Sequence, residues 1–321
     1  MTDVLAARAI SQYRTRDIFT YLSLRYFLVS SRVKTDDFIS TNVVRVVRGY
    51  NAPAYNQTPF FKEKGEDGVI KHRLMHMPGA AEALAEAALL AHCANRGLSP
   101  DKDVCFSYWL AEGESKSGYF VPYLVGLRDR QDAIRNALHA KPGAIVRCVD
   151  IKNFYPSITE AVAVDAWKSA CGQAEISPEF RELGLQLIRK HRLERDRGFL
   201  LTGPMFSHFI ANLVLSGVDK SSKEMPANVF RYVDDFSIIG SVEDIEITIE
   251  HLNVALGGLG LTLHDSNSPK TLNVTDVEWL DSADDFSMGP ISAGWLRLVG
   301  NVKKVLILQR EEPEIFGKCV L

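Results

Sequence analysis

The chain predicts an α+β fold in which an antiparallel sheet is backed by helices, and three observations carry that expectation. In the second half, apolar strand patterns and helical patterns follow one another as strand, helix, hairpin, helix, strand, an order that suits helices packed on one face of such a sheet. The 321 residues are 46% hydrophobic and 24% charged, enough apolar mass for a sizeable core and too much for a disordered, collagenous or coiled-coil chain. No repeat of fixed period and no low-complexity segment occurs, which argues against solenoids and propellers. A chain of this length suits two or three packed subdomains rather than a small binding module.

The elements follow in order. The first 48 residues hold Arg8, Arg14, Arg16, Arg25, Arg32, Lys34, Arg45 and Arg48 against four Asp. That local positive excess suits either a surface that binds a phosphate backbone or a solvated helix face. Gly49 to Gly68, broken by Pro53, Pro59 and Gly65, reads as loops around a short hairpin. The Ala- and Leu-rich run from Ala80 to Ala94 is a helix. Ala144 to Val149 is an apolar strand that ends at Asp150, and Thr159 to Cys171 and Pro178 to Arg192 are helical. After Gly203-Pro204, Met205 to Val218 reads as one buried helix opened by a proline near its first turn. Val229 to Val233 and Phe236 to Ile239 are strands flanking Asp234-Asp235, which makes a tight hairpin. Glu243 to Leu256 is a helix that glycines 257, 258 and 260 stop before a strand from Leu261 to His264. Near the end, Val305 to Leu308 reads as an apolar strand.

Charge and cysteine usage narrow the function classes. Lys plus Arg number 37 against 40 Asp plus Glu, a net charge of -3, so nucleic acid cannot be coated by bulk charge and any such binding must use local patches. Cys93, Cys105, Cys148, Cys171 and Cys319 form no close pair, which argues against a disulfide framework or a CxxC metal knuckle and fits a reducing cytosol. The N-terminus carries no apolar stretch of signal-peptide length and no later run approaches a membrane span. The expectation is a soluble cytoplasmic protein without a membrane partner. No HExxH, Walker loop or nucleophile elbow occurs, leaving zinc-hydrolase and NTPase readings little support.

The carboxylates are the chemical signal. In Phe230-Arg231-Tyr232-Val233-Asp234-Asp235 the two-residue strand period puts Phe230, Tyr232 and Asp234 on one face, with Asp235 at the bend. Asp150 ends a different apolar strand, and if the two strands are neighbours the carboxylates converge at one edge of the sheet. Such groups repel one another, so without a cation one of them takes up a proton. Oxygen-only ligands suit Mg²⁺, and two ions about 3.5–4 Å apart clamp the attacking and leaving oxygens of a phosphoryl transfer. The bland alternative is that Asp-Asp is good hairpin chemistry and Asp150 an ordinary strand-end residue.

Neighbouring motifs weigh against the bland alternative, for the chain resembles a reverse transcriptase over roughly residues 60 to 280, in family order. Asp150-Ile151-Lys152-Asn153-Phe154-Tyr155-Pro156-Ser157-Ile158 resembles the first catalytic-aspartate motif, and Tyr232-Val233-Asp234-Asp235 resembles the YxDD box. Leu200-Leu201-Thr202-Gly203, with Ser207 and Asn212, resembles the LPxG segment and its helix, with Leu201 in place of the proline. Gly260-Leu261-Thr262-Leu263 followed by Lys270-Thr271 resembles the motif that brings a lysine near the incoming nucleotide. Lys62, Lys64 and Gly65, then Arg73 and Pro78, resemble the fingers hairpin that grips a triphosphate.

The resemblance implies a right-hand polymerase with fingers, an antiparallel palm and a reduced or missing thumb. Residues 1–79 would be the N-terminal region and fingers hairpin, 80–143 a helical fingers and palm region, 144–281 the catalytic palm, and 282–321 the palm end and rudimentary thumb. It implies that Asp150, Asp234 and Asp235, with the backbone carbonyl of Ile151, hold two Mg²⁺ ions, Mn²⁺ being the alternative. Arg73 and Lys64 would neutralise the triphosphate. Thr202 and Gly203 would let the backbone approach nucleotide or template. Tyr155 would be the aromatic gate that collides with a ribose 2′-hydroxyl and selects dNTPs, and Lys270 would donate a proton to departing pyrophosphate. The basic run Arg189-Lys190-His191-Arg192, with Arg195 and Arg197, suits either phosphate contacts or a charged helix end.

Within the family, the wording around Asp150, the segment Val104 to Tyr108 and the compact length look most like bacterial abortive-infection and defence-associated enzymes. Retron enzymes are the nearest rival, since Asn136-Ala137-Leu138-His139 resembles their NAxxH signature one residue short. The implied function is RNA-templated DNA synthesis in antiphage defence, with an RNA template, a dedicated non-coding RNA among the options, and a DNA product. Template-independent or protein-primed synthesis by the same centre, and a non-catalytic RNA-binding scaffold, are the alternatives. Only about forty residues follow Trp279-Leu280, so a partner protein or a second copy of the chain is a candidate to complete the grip.

Overall fold

Two antiparallel sheets frame the protein. The first is a hairpin of β1 (Tyr55–Lys64) and β2 (Ile70–Pro78). The second joins β3 (Ile145–Asp150), β4 (Asn228–Tyr232), β5 (Asp235–Gly240) and β6 (Leu272–Thr275) in the spatial order β4-β5-β3-β6. A computed structural model describes the chain over residues 2–14, 18–30, 55–65, 68–111, 118–191, 199–266, 268, 270–282, 302–303, 305–311 and 313–314. Around the sheets lie α1 (Thr2–Arg14), α2 (Ile18–Ser30), α3 (Ala80–Asn95), α4 (Tyr123–Ala140) and the one-turn α5 (Phe154–Ser157). They continue with α6 (Glu160–Gln173), α7 (Pro178–Lys190), α8 (Met205–Val214), α9 (Ser216–Ser222), α10 (Val242–Gly257) and α11 (Asp276–Ser282). The fold is thus α+β with antiparallel sheets. Among the described residues no helix is long and apolar enough to cross a membrane.

Register fixes the two faces of the four-stranded sheet. Val146 opposes Ile239, Cys148 opposes Ser237 and Asp150 opposes Asp235 on one face, while Arg147 opposes Ile238 and Val149 opposes Phe236 on the other. The face of Val149, Phe236 and Ile238 joins the main core with α8, every residue of which is buried. Trp167, Phe206 and Phe209 are fully enclosed there. Burial of each such side chain contributes about 1.5–3 kcal/mol relative to exposure. The opposite face receives α4, whose Ile134, Ala137 and Leu138 pack on Val146 and Ile239. Helices therefore cover parts of both faces, where the sequence pattern pointed to one. α4 buries only a narrow stripe among charged residues, so its pattern is that of an ordinary surface helix.

Several boundaries differ for identifiable reasons. The run Met205 to Val218 is two helices: Ser216 Oγ donates to the Leu213 carbonyl at 2.8 Å, and Gly217 weakens continuation. The segment from Leu261 to His264 makes only a single bridge, Ile151 to Leu263, instead of a strand. Its partner leaves the sheet after Asp150 and turns at Asn153 (φ 47°) into α5, so no ladder remains to extend; β6 takes the fourth place. The hairpin is long, with paired residues from Tyr55 to Pro78. Residues 49–54 lie outside the described residues, as do Arg16, Arg32, Lys34, Arg45 and Arg48 of the basic N-terminal stretch. Residues 305–311 are helical, not a strand: Val305 and Leu308 are buried while Leu306 is exposed, a spacing of three rather than alternation. Cys93, Cys105, Cys148 and Cys171 are free thiols, and Cys319 lies outside the described residues.

Candidate active site

The C-terminal end of β3 and the N-terminal start of β5 meet side by side, which puts Asp150 directly opposite Asp235. Because Tyr232 pairs with Asp235, Val233 and Asp234 alone form the hairpin loop. On the other side of β3, Cys148 pairs with Leu272 of β6, and the same register carried two residues on sets Lys270 beside Asp150. The side chains agree, for Lys270 Nζ donates to Asp150 Oδ2. Tyr232, Asp235, Asp150 and Lys270 thus form one row across the sheet edge, with Asp234 on the turn above it. His264 Nε2 lies 3.9 Å from the same Asp150 oxygen. Asp150 Oδ1 is buried without a hydrogen-bond partner.

Like charges at this spacing cannot all persist in a partly buried site. Burial pushes the Asp234 carboxyl up to about 7, and the Asp150 and Asp235 charges add to it. Asp235 is raised as well, by burial and by Asp150, with Arg130 and Lys270 pulling the other way. The hydrogen bond to Asp150 holds the Lys270 ammonium above its ordinary value, with burial acting the other way. Arg130 of α4 donates through Nη2 to Ser237 Oγ at 2.8 Å and to the Asp235 carbonyl at 3.2 Å. Its charge is therefore fixed beside the carboxylate row, although burial lowers its pKa.

The turn itself is held under strain. Val233 has φ 61°, a left-handed conformation that a β-branched residue adopts at a cost of order 1–3 kcal/mol. Two contacts fix it: its N–H donates to Ser107 Oγ at 2.9 Å, and its carbonyl accepts from Arg231 Nη1 at 2.7 Å. Arg231 is wholly buried on β4 and its guanidinium forks onto Asp219 of α9, Nε to Oδ1 at 2.7 Å and Nη2 to Oδ2 at 2.5 Å. Burial opposes the Arg231 charge, and the Asp219 carboxylate more than offsets it, so the guanidinium is held above its ordinary pKa. Asn212 of α8 accepts from Arg231 Nη1 at 3.0 Å and donates to the Ser107 carbonyl at 2.8 Å. Sequence reasoning singled out Asn212 for its place in a motif and missed Ser107, Arg130, Asp219 and Arg231. The available signal was an arginine inside an apolar strand, on the face opposite Phe230 and Tyr232.

The remaining candidates occupy other elements. Tyr155 lies on α5, nearly buried, with its hydroxyl hydrogen-bonded to His208 Nδ1. Ile151 is buried, and its N–H donates to the Asp234 carbonyl at 3.3 Å. Lys64 and Arg73 stand exposed on the β1–β2 hairpin. That hairpin is tied to the loop that carries Thr202 and Gly203 and leads into α8: the His76 N–H donates to the Thr202 carbonyl at 2.8 Å. A Cβ at Gly203 (φ 129°) would lie 2.3 Å from the His76 carbonyl oxygen. The close approach that this glycine permits is therefore to β2. The basic run divides. Lys190 is buried and donates to Glu82 at 3.1 Å, His191 is buried, and Arg189 reaches Glu182 at 3.4 Å. Lys190 and His191 are thus withdrawn from any phosphate surface, while Arg192, Arg195 and Arg197 lie outside the described residues.

The structure therefore gathers Asp150, Asp234, Asp235 and Lys270. Among the described residues no three His, Cys, Asp or Glu side chains stand as a group ready to hold a metal ion, and Asp150 is bonded to Lys270. The donor set nevertheless fits a hard divalent cation: all donors are carboxylate oxygens, Asp150 Oδ1 is buried with nothing to bond, and Asp234 is raised by burial and by its neighbours' charge. No protein-family model and no curated protein matches the chain.

Proposed function

We propose that the protein is a metal-dependent nucleotidyltransferase of right-hand polymerase architecture that synthesises DNA on an RNA template. The observation that carries the reading is the cross-strand row of Asp235, Asp150 and Lys270 with Asp234 on the strained turn above it. Burial first, and then the Asp150 and Asp235 charges, push Asp234 up to about 7, a cost that a divalent cation would relieve. Asp150 and Asp234 would be the principal ligands of two Mg²⁺ ions, with Asp235 and the Ile151 carbonyl beside them. When bound, the ions would supply Lewis-acid stabilisation of the charge that develops on the phosphoryl oxygens.

The chain's own residues supply the rest. Arg130 holds the Asp235 backbone, and Arg231 and Ser107 hold the Val233 turn, so the carboxylates are presented on fixed backbone. Lys270 is half exposed and bonded to Asp150, and it would exchange that partner for a phosphate oxygen and deliver a proton there. The exposed Lys64 and Arg73 of the hairpin would meet the triphosphate. Tyr155 would select deoxyribose.

The deciding experiment is incorporation of labelled dNTPs on a primed RNA template with and without Mg²⁺. The wild type is expected to extend the primer with a sequence that follows the template, and Asp234→Asn to lower the rate at least about a hundredfold. Product whose sequence ignores the template would instead favour template-independent synthesis. Absence of incorporation under every metal and primer condition would return the chain to the class of RNA-binding scaffolds. Sequencing of copurifying nucleic acid would identify the template and test the proposed link to antiphage defence.

A further inference from the structure

Behind Tyr155 stands a column of stacked rings. The ring of His208, a buried residue of α8, lies flat on Tyr108 with centroids 4.2 Å apart and planes 5° from parallel. Tyr108 in turn meets Phe120 edge-on at 5.2 Å, and its own backbone is left-handed at φ 52°. From this fixed platform His208 presents Nδ1 to the Tyr155 hydroxyl and its ring edge to the Tyr155 ring, centroids 5.3 Å apart at 84°. The Phe154 ring also meets the Tyr155 ring edge-on, centroids 5.3 Å apart. Tyr155 is therefore held both by packing and by a directional bond at its tip.

We propose that His208 is a positioning residue that enforces sugar selection by locking the Tyr155 ring in place, an inference that rests on the reading of Tyr155 as the gate. A steric gate rejects a 2′-hydroxyl only as strongly as its ring resists being pushed aside. Tyr155 sits on a helix of a single turn, entered through the left-handed Asn153, and so has little rigidity of its own. α8 is wholly buried, and a hydrogen bond from it transfers that rigidity to the ring. The bond joins the Tyr155 hydroxyl to His208 Nδ1, the hydroxyl donating in the tautomer that leaves Nδ1 unprotonated and accepting in the other. Asn can place an amide oxygen near the position of that nitrogen, and Phe cannot bond there although it preserves the stack on Tyr108.

The test compares kcat/KM for a dNTP and the matching rNTP in wild type, Tyr155→Ala, Tyr155→Phe, His208→Phe, His208→Asn and the Tyr155→Phe/His208→Phe pair. Tyr155→Phe and His208→Phe should each reduce the preference for dNTP about tenfold, the factor equivalent to one lost hydrogen bond. The double variant should lose no more than either single one, since both remove the same bond. His208→Asn should retain most of the preference, which a merely structural role for the imidazole would not produce. An undiminished preference in Tyr155→Phe overturns the anchor even if His208→Phe fails to fold. A Tyr155→Ala enzyme that still rejects rNTPs overturns the gate itself, and a wild type without dNTP incorporation overturns the polymerase reading, so the three failures are distinguishable.

Discussion

Glu86 shows what a single side chain can reveal about this protein. It has no exposed surface, and its carboxyl accepts from Tyr13 and Tyr55 hydroxyls at 3.1 and 3.3 Å and from the Met205 and Phe206 N–H groups at 2.9 and 3.2 Å. It thus serves as the remote cap of α8, whose own N-cap is Pro204 and offers no side chain for the purpose. Burial pushes Glu86 up to about 7, with the four hydrogen bonds acting in the other direction. The folded carboxyl then holds its proton up to about pH 7, whereas the unfolded one releases it near the ordinary value of 4.5. The folded state binds more protons between those values, so stability falls as pH rises across them and levels off above. Glu86→Gln should remove a pH-dependent loss on the order of 3 kcal/mol between pH 4.5 and 8, read from urea midpoints. Asp234 and Asp235 shift in the same direction, so the Glu86→Gln variant should keep a residual slope that Asp234→Asn then reduces. A variant slope equal to the wild type's would show that Glu86 is charged in the folded protein throughout.

At the scale of the element, the β4–β5 hairpin is a strained turn clamped by a buried ion pair. Removing Arg231 alone leaves Asp219 charged and enclosed, a change of about 3–5 kcal/mol. Arg231→Met should therefore lower the thermal midpoint strongly, and Arg231→Met combined with Asp219→Leu should recover most of the loss while dNTP incorporation stays depressed. The reason is that the Val233 carbonyl has still lost its donor. Val233→Gly tests the strain directly. Glycine takes the left-handed conformation freely, so stability should hold or rise by about 1 kcal/mol, while incorporation falls because the turn is less fixed. Much of this hairpin was legible in the sequence: strands, loop and the acidic pair follow from two apolar runs around Asp-Asp. Its clamp was not, because Arg231 meets Asp219, Asn212 and Ser107 only once α8, α9 and the 105–108 segment are folded beside it. The same limit explains Leu261 to His264. Local pattern showed extended backbone there, but membership of a sheet depends on a partner strand, and β3 leaves the sheet at Asp150. Of the two readings left open for the basic run, Lys190 takes the charged helix end, and its burial was not legible because it depends on a partner, Glu82, remote in sequence.

For the whole molecule, the candidate site is a boundary between parts of the chain that are remote in sequence: β3, the β4–β5 turn and the approach to β6 supply one row of charge. Its internal cation, Lys270, and an added divalent cation compete for the same carboxylate, Asp150. Competition of this kind has a measurable sign. A cation that binds only the folded protein stabilises it, by about 2.7 kcal/mol at one hundred times its dissociation constant. Mg²⁺ titrated at pH 8 should therefore raise the thermal midpoint of the wild type, and Asp150→Asn and Asp234→Asn should abolish most of the increase. Lys270→Met should act in the opposite sense on the titration. Without Mg²⁺ the carboxylates lose a counter-charge and the variant starts less stable, yet its response should set in at lower Mg²⁺, because no ammonium has to be displaced from Asp150. The Lys270 side chain is 50% exposed and its attraction is screened accordingly, so the midpoint shift should shrink as ionic strength rises. An Asp150→Asn protein that gains as much from Mg²⁺ as the wild type would place cation binding elsewhere in the molecule, and with it would go the argument that this row of charge is a metal-dependent site.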